Sequence, residues 1–271
     1  MGKLEEDRIY ADTLGKTDVY VAAGLGVVEV SVSNDRIGQF SLAHRCPARD
    51  IAADGTDLLV ATDEDVLAID PTGDELTVER LSFGPAVAVG GADAPLAAAP
   101  DGTVARRTDG GWTELGAVSE PRAIDGPLVA TADGVVRAGD GLEYVGLSDA
   151  RDVLGGPTPY AATADGLYRL GPGWTHELET ESFVVAADGD RVHAVTSEGL
   201  LVDAGDGWRE REVPTDERLV DVGYIADGGV IAVTETGRFL VDPVAAKDGA
   251  SGWRSRALGL DGTAGFAVPD R

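Results

Sequence analysis

Three arginines stand at the same place in three similar stretches of the chain. They are Arg49 in Ala48-Arg49-Asp50-Ile51, Arg122 in Pro121-Arg122-Ala123-Ile124 and Arg151 in Ala150-Arg151-Asp152-Val153. A guanidinium presents a planar fork of donors that matches carboxylate, sulfate and phosphate. Three of them on one rim make a site for a small anion or an acidic partner. A competing reading makes them structural, neutralised across neighbouring segments by Asp50, Asp152 and Asp221. Arg45 lies just upstream of the first.

Other chemistry is thinly supplied. His44, His176 and His193 are the only histidines, and no Gly-x-Ser-x-Gly elbow occurs. Cys46 follows His44 by two residues, but that spacing in an extended stretch does not make a nucleophile–base pair, and Cys reads as a small buried hydrophobe. As the single cysteine it excludes an internal disulfide and a four-Cys zinc site. His176 and His193 lack metal-ligand spacing, and Asn34 is the only asparagine, which argues against the Asn-ligated metal of propeller lactonases. No metal and no cofactor is expected, with weak Ca²⁺ binding between acidic loops as the alternative. The glycines read as turns, since no strand–GxxxxGK–helix unit is present.

The charge narrows the partners. Among 271 residues, 48 Asp and Glu face 22 Lys and Arg, for a formal charge of -26 and a pI near 4.2. Such a surface repels nucleic-acid backbones and anionic membranes. No window approaches the length of an apolar membrane span. The start, MGKLEEDRIY, places acids where a secretory signal has its apolar stretch, so the expected location is the cytoplasm. The acids are spread among 43% hydrophobic residues, which argues against disorder. Only Lys3, Lys16 and Lys247 are lysines. A folded chain with this much self-repulsion is tolerated where salt screens it, so a halophilic cytoplasm is expected.

What must position the arginines is a repeat. Two small residues, two mostly polar ones and a closing Gly or Asp recur seven times, ending at positions 26, 65, 102, 134, 166, 199 and 237. Ala130-Thr131-Ala132-Asp133-Gly134 and Ala162-Thr163-Ala164-Asp165-Gly166 are typical copies. Each lies between two short β-like runs, and Gly at the junction suits a tight hairpin. A further apolar run precedes each hairpin and a more polar strand follows it. Four of those last strands open with Gly-Trp, at Trp112, Trp174, Trp208 and Trp253. Small residues fall where strands converge and large ones where they splay, which is the taper of radial packing. No long segment has a helical period. The reading is all-β: one domain over residues 1–271, a seven-bladed β-propeller of four-stranded antiparallel blades.

The blades, with TADGLYRL followed by Gly173-Trp174 and with RTDGGWTEL, resemble a haloarchaeal family of seven-bladed β-propellers, over essentially the whole chain. That resemblance implies the fold and brings no activity with it. Thr108-Asp109-Gly110-Gly111-Trp112 also echoes the Asp-box turn of sialidase-like repeats and is read as turn chemistry. Two runs compete to complete the first blade, Arg8–Asp12 and Gly265–Val268, and the C-terminal one is favoured. In a propeller the inner strands line the channel, so Arg49, Arg122 and Arg151 fall at its mouth. The expected function is non-enzymatic binding of a protein or small anion there. The alternative is a hydrolase or lyase using Arg and Asp in the same mouth.

Overall fold

The recurring threonine explains why each repeat turns where it does. Thr131 Oγ1 donates to the carbonyl of Gly134 at 2.8 Å and accepts from the N–H of Asp133 at 3.2 Å. Thr62, Thr163 and Thr196 close their own turns in the same way. These hydroxyls are buried, and the side chain replaces solvent at a backbone that has left the ladder. Asp65 stands where the other turns have Gly and takes no positive φ. Its carboxylate instead accepts from the N–H groups of Val66, Ser82, Phe83 and Gly84. Burial pushes that carboxyl up, and the four donors more than offset this and hold it below its usual range.

A computed structural model describes residues 16–33, 36–73, 75–91, 93–226, 228–243 and 252–270. Its strands form seven four-stranded antiparallel sheets, and the described residues contain no helix. The second blade is typical: inner strand Ala48–Asp54, then Asp57–Thr62, Val66–Asp70 and outer strand Thr77–Arg80. Inner strands touch their neighbours around a closed ring. The ring is closed by Gly265–Ala267, which pairs with Lys16–Ala23 as the inner strand of the first blade. The competing run Arg8–Asp12 lies outside the described residues.

There is no central core. Each of the seven blade interfaces has its own apolar cluster, such as Leu128, Ala130 and Val135 against Ala150, Val153 and Ala161. At the wide end the tryptophans tie neighbouring outer strands together. The indole N–H groups of Trp112, Trp174 and Trp253 each donate at 2.9 Å to a carbonyl of the preceding blade's outer segment, those of Leu81, Val145 and Glu212. Trp208 packs against the cluster between the fifth and sixth blades, but its buried N–H has no acceptor.

That contrast is measurable. Trp174→Phe and Trp208→Phe remove the same volume, but only the first loses a hydrogen bond. Urea denaturation is expected to show Trp174→Phe less stable than Trp208→Phe by about 1 kcal/mol.

Candidate site at the channel mouth

Five inner strands begin with a β-bulge. In the second blade Ala48 pairs with Thr62 and Asp50 with Ala61, leaving Arg49 as the extra residue. The same shift isolates Arg122, Arg151, Phe183 and Val220 in the fourth to seventh blades. A bulge frees its residue from the ladder and re-aims the side chain. The column in which the arginines recur is therefore the one column of the inner strand that pairing does not constrain.

The residue on the far side of the bulge turns to the channel. Asp152 Oδ1 accepts from Val153 N–H at 2.9 Å, and Oδ2 accepts from Val185 N–H in the next blade at 2.8 Å. Asp50 does the same with Ile51 and Val89, and Asp221 with Val222 and Phe266. These aspartates join the second blade to the third, the fifth to the sixth and the seventh to the first. They do not neutralise the arginines, contrary to the structural reading of the sequence. Enclosure among the inner strands pushes their carboxyls up, to about 7 for Asp50 and Asp152 and about 8 for Asp221. Each nonetheless keeps some accessible surface.

The arginines find other partners. Arg49 makes a two-toothed ion pair with Asp63 of its own blade, at 2.6 and 2.9 Å, on the exposed surface. Its hydrogen bonds hold the Asp63 carboxyl below its usual range. Arg122 reaches Asp149 of the fifth blade at 2.5 Å and the carbonyl of Ala150 at 3.1 Å, with Glu120 at 3.7 Å. Arg151 reaches Glu181 of the sixth at 2.5 Å. Its other terminal nitrogen, Nη1, is buried without an acceptor.

These contacts form a ladder from blade to blade. The bulge residue of one blade meets the residue that precedes the inner strand of the next: Arg122 with Asp149, then Arg151 with Glu181. At the third step both partners change. Phe183 replaces the arginine and Arg218 replaces the acid, with the guanidinium 5.1 Å from the ring centroid. Arg151 lies 4.6 Å from the same ring. Arg218 is exposed and makes no ion pair among the described residues. Its neighbour Glu217 is occupied elsewhere, accepting from Thr236, Thr234 and Arg238, which together lower its carboxyl to about 2.

A cavity of about 520 Å³ opens over this sector, lined by Arg122, Asp149, Arg151, Phe183, Arg218 and Val220 among others. Two of the three arginines picked out by sequence thus share one pocket, and Arg49 is not in it. Arg45 lines a separate cavity with His44 and Cys46, where burial pushes the thiol up and disfavours the thiolate. The sequence reading missed Arg218, which lies one residue before the bulge-paired Leu219. The signal was the column Glu120, Asp149, Glu181, Arg218, in which the sign of charge reverses.

The remaining histidines are structural. His176 stacks on Tyr168 at 4.5 Å. His193 hydrogen-bonds Tyr224 at 2.6 Å, and burial followed by Arg191, Arg211 and Arg209 lowers its imidazole to about 3. The described residues hold no cluster of three or more His, Cys, Asp or Glu side chains arranged for a metal ion.

A family model described as Beta-prop_HVO_0234-like, beta propeller, matches residues 3–269. The chain belongs to that family. No curated protein matches the sequence. Among solved structures, the family fold is similar to YCF48 bound to D1 peptide, at 16% identity over 79% of this chain and 83% of that one, with a TM-score of 0.59. It is similar to a functionally unknown protein from Desulfotomaculum acetoxidans DSM 771, at 11% identity over 94% and 99%, with a TM-score of 0.66. A protein from Lactobacillus plantarum matches at 13% identity over 93% and 98%, with a TM-score of 0.65. At such identities the likeness extends to the fold alone.

The channel aspartates carry a pH prediction. Their native pKa values lie above the unfolded value of about 3.9, so the native state holds protons that the unfolded chain has released. Stability therefore falls as pH rises from about 4 to 8. In concentrated KCl, which screens the surface charges, the thermal midpoint should drop over that window. An Asp152→Asn, Asp221→Asn double variant should flatten the drop.

Proposed function

We propose that this protein is a non-enzymatic binding module whose channel mouth, between the fourth and seventh blades, takes an anionic ligand. The ligand is a carboxylate or another oxyanion, free or carried by a protein partner. The observation that carries this reading is the broken ladder. Two steps pair each cation with an acid, and the third leaves Arg218 without one, on the wall of an open cavity that Arg122 and Arg151 also line. An exposed guanidinium without an acid partner, facing an open cavity, offers an incoming oxyanion charge-assisted hydrogen bonds. In a chain of charge -26, three arginines against one aspartate on the cavity wall make a sector that an anion can approach. YCF48, a propeller of similar fold, has been solved with a peptide bound, which is consistent with a binding role. The acidic composition supports a working environment of high salt inside the cell.

Two measurements test this. Calorimetric titration with citrate, sulfate and phosphate at fixed KCl should give saturable binding by at least one of them. Arg218→Gln should weaken it about tenfold, the scale of one charge-assisted hydrogen bond, and Arg49→Gln should leave it unchanged. Absence of binding by all three anions, or equal loss in Arg49→Gln, rejects the site. Separately, the thermal midpoint should climb steeply from low to molar KCl; a flat profile argues against the saline setting.

A further inference from the structure

The sixth blade lacks most of an outer strand. Its outermost strand is Arg209–Glu210, two residues long, where the other blades have four to nine. The consequence shows at the hairpin glycine. A Cβ built on Gly134 would lie 2.5 Å from the carbonyl oxygen of Leu147, and one on Gly166 would lie 2.1 Å from that of Leu178. Gly26 and Gly102 are blocked in the same way by the residues that end or follow their own outer strands. At Gly199, in the sixth blade, a Cβ would meet nothing within 4 Å. The short outer segment covers Leu200–Val202, through Arg209, Glu210 and the Arg211 N–H, and leaves the Gly199 end of the edge open.

The opening is a second cavity of about 520 Å³, lined by Val195, Leu200, Val213 and Thr215, with Ser197 on its exposed turn. It shares Phe183, Arg218 and Leu219 with the cavity at the channel mouth. The two form one groove, cationic at the inner end and apolar beyond it. Asp216 and Glu217 stand at the outer lobe, so charge changes sign along its length. Taken together, the two cavities reach the upper end of the roughly 300–1,000 Å³ span of small-ligand sites, more room than an inorganic anion fills.

The geometry points to an extended peptide segment of a partner protein as the occupant, lying in this groove past the open Gly199 end of the sixth blade. It carries an Asp or Glu toward Arg122, Arg151 and Arg218, and a Leu-, Ile- or Val-sized side chain in the lobe of Val195, Leu200 and Val213. An extended segment suits the site because its side chains alternate in direction, so residues spaced along it reach both the cationic end and the apolar lobe, and such pockets supply selectivity. The charge gradient fixes the direction: an acid at the outer end would face Asp216, and at the inner end it meets guanidinium groups. This inference rests on the anion site proposed above, adds the apolar lobe and the open edge to it, and names a peptide as the ligand.

The test uses the full chain and fluorescein-labelled hexapeptides. Each has one Glu and one Leu in a Ser/Thr background, at every relative spacing and in both orders, and binding is read by fluorescence anisotropy. At least one spacing is expected to bind, in one order only. Replacing its Glu by Gln or its Leu by Ser should each weaken it about tenfold or more. Ser197→Trp, on the exposed turn, fills the outer lobe and should abolish peptide binding while citrate still binds. Val213→Glu provides a second block, should one variant fail to fold. If citrate binds and no hexapeptide binds more tightly than citrate, the groove is not a peptide site and the anion site stands. Binding of both orders alike, or binding that survives both blocking variants in folded protein, also overturns the groove. If neither citrate nor any peptide binds, both readings fall.

Discussion

The inner strand of every blade is a sheet edge, and an edge has backbone N–H groups with no strand to accept them. In this protein seven such edges converge on one channel. Three aspartates meet the need. Asp50, Asp152 and Asp221 each take one N–H from their own strand and one from the next blade. Asp125 adds a contact to Gly155 N–H at 2.6 Å. Each carboxylate thus fixes the height of one blade against its neighbour at the narrow end of the wedge. Indole N–H groups do so at the wide end for three interfaces. Both pins occur at the interfaces of the second blade with the third and of the fourth with the fifth, and apolar clusters fill the space between them.

The arginine ladder depends on that registration. A bulge residue can meet the residue that begins the next inner strand only if neighbouring strands start at matching heights. Because they do, Arg122 finds Asp149 and Arg151 finds Glu181 by repeating one geometric step. The exception to the repeat is where a ligand gains access. Phe183 cannot pair with an acid, and Arg218 takes the acid's place. Beyond it the sixth blade's short outer strand leaves Gly199 uncovered. Both departures fall in one sector, so the cationic end and the apolar end of the groove are continuous. The steps from the fourth to the fifth and from the fifth to the sixth blade keep the pairing and are closed by their own side chains.

Much of this was legible in the sequence. The small-residue turn recurs seven times, and a hydroxyl-plus-glycine hairpin is local chemistry that needs no partner from afar. The placing of Trp in outer strands follows from volume, since a wedge has room only at its wide end. The family fold, the blade count and the closing strand at Gly265–Ala267 all follow from these repeating local signals. Arg122 and Arg151 were picked out because the repeat itself aligns them.

What the sequence left open was decided between blades. Pairing partners depend on how far one blade is shifted against the next, and that shift is set by packing and by the aspartate bridges. So Asp152, adjacent to Arg151 in sequence, serves the channel backbone, while Glu181, thirty residues on, takes the cation. Arg49 aligns with Arg122 in sequence, yet the segment preceding the third inner strand offers it no acid, and it turns to Asp63 of its own blade. Arg218 gained its place only through the neighbour it faces. An open edge at Gly199 is an absence of cover, and a sequence does not display what fails to pack against it. Local turn chemistry determined the architecture; the relative height of neighbouring blades decided which charges are left for a ligand.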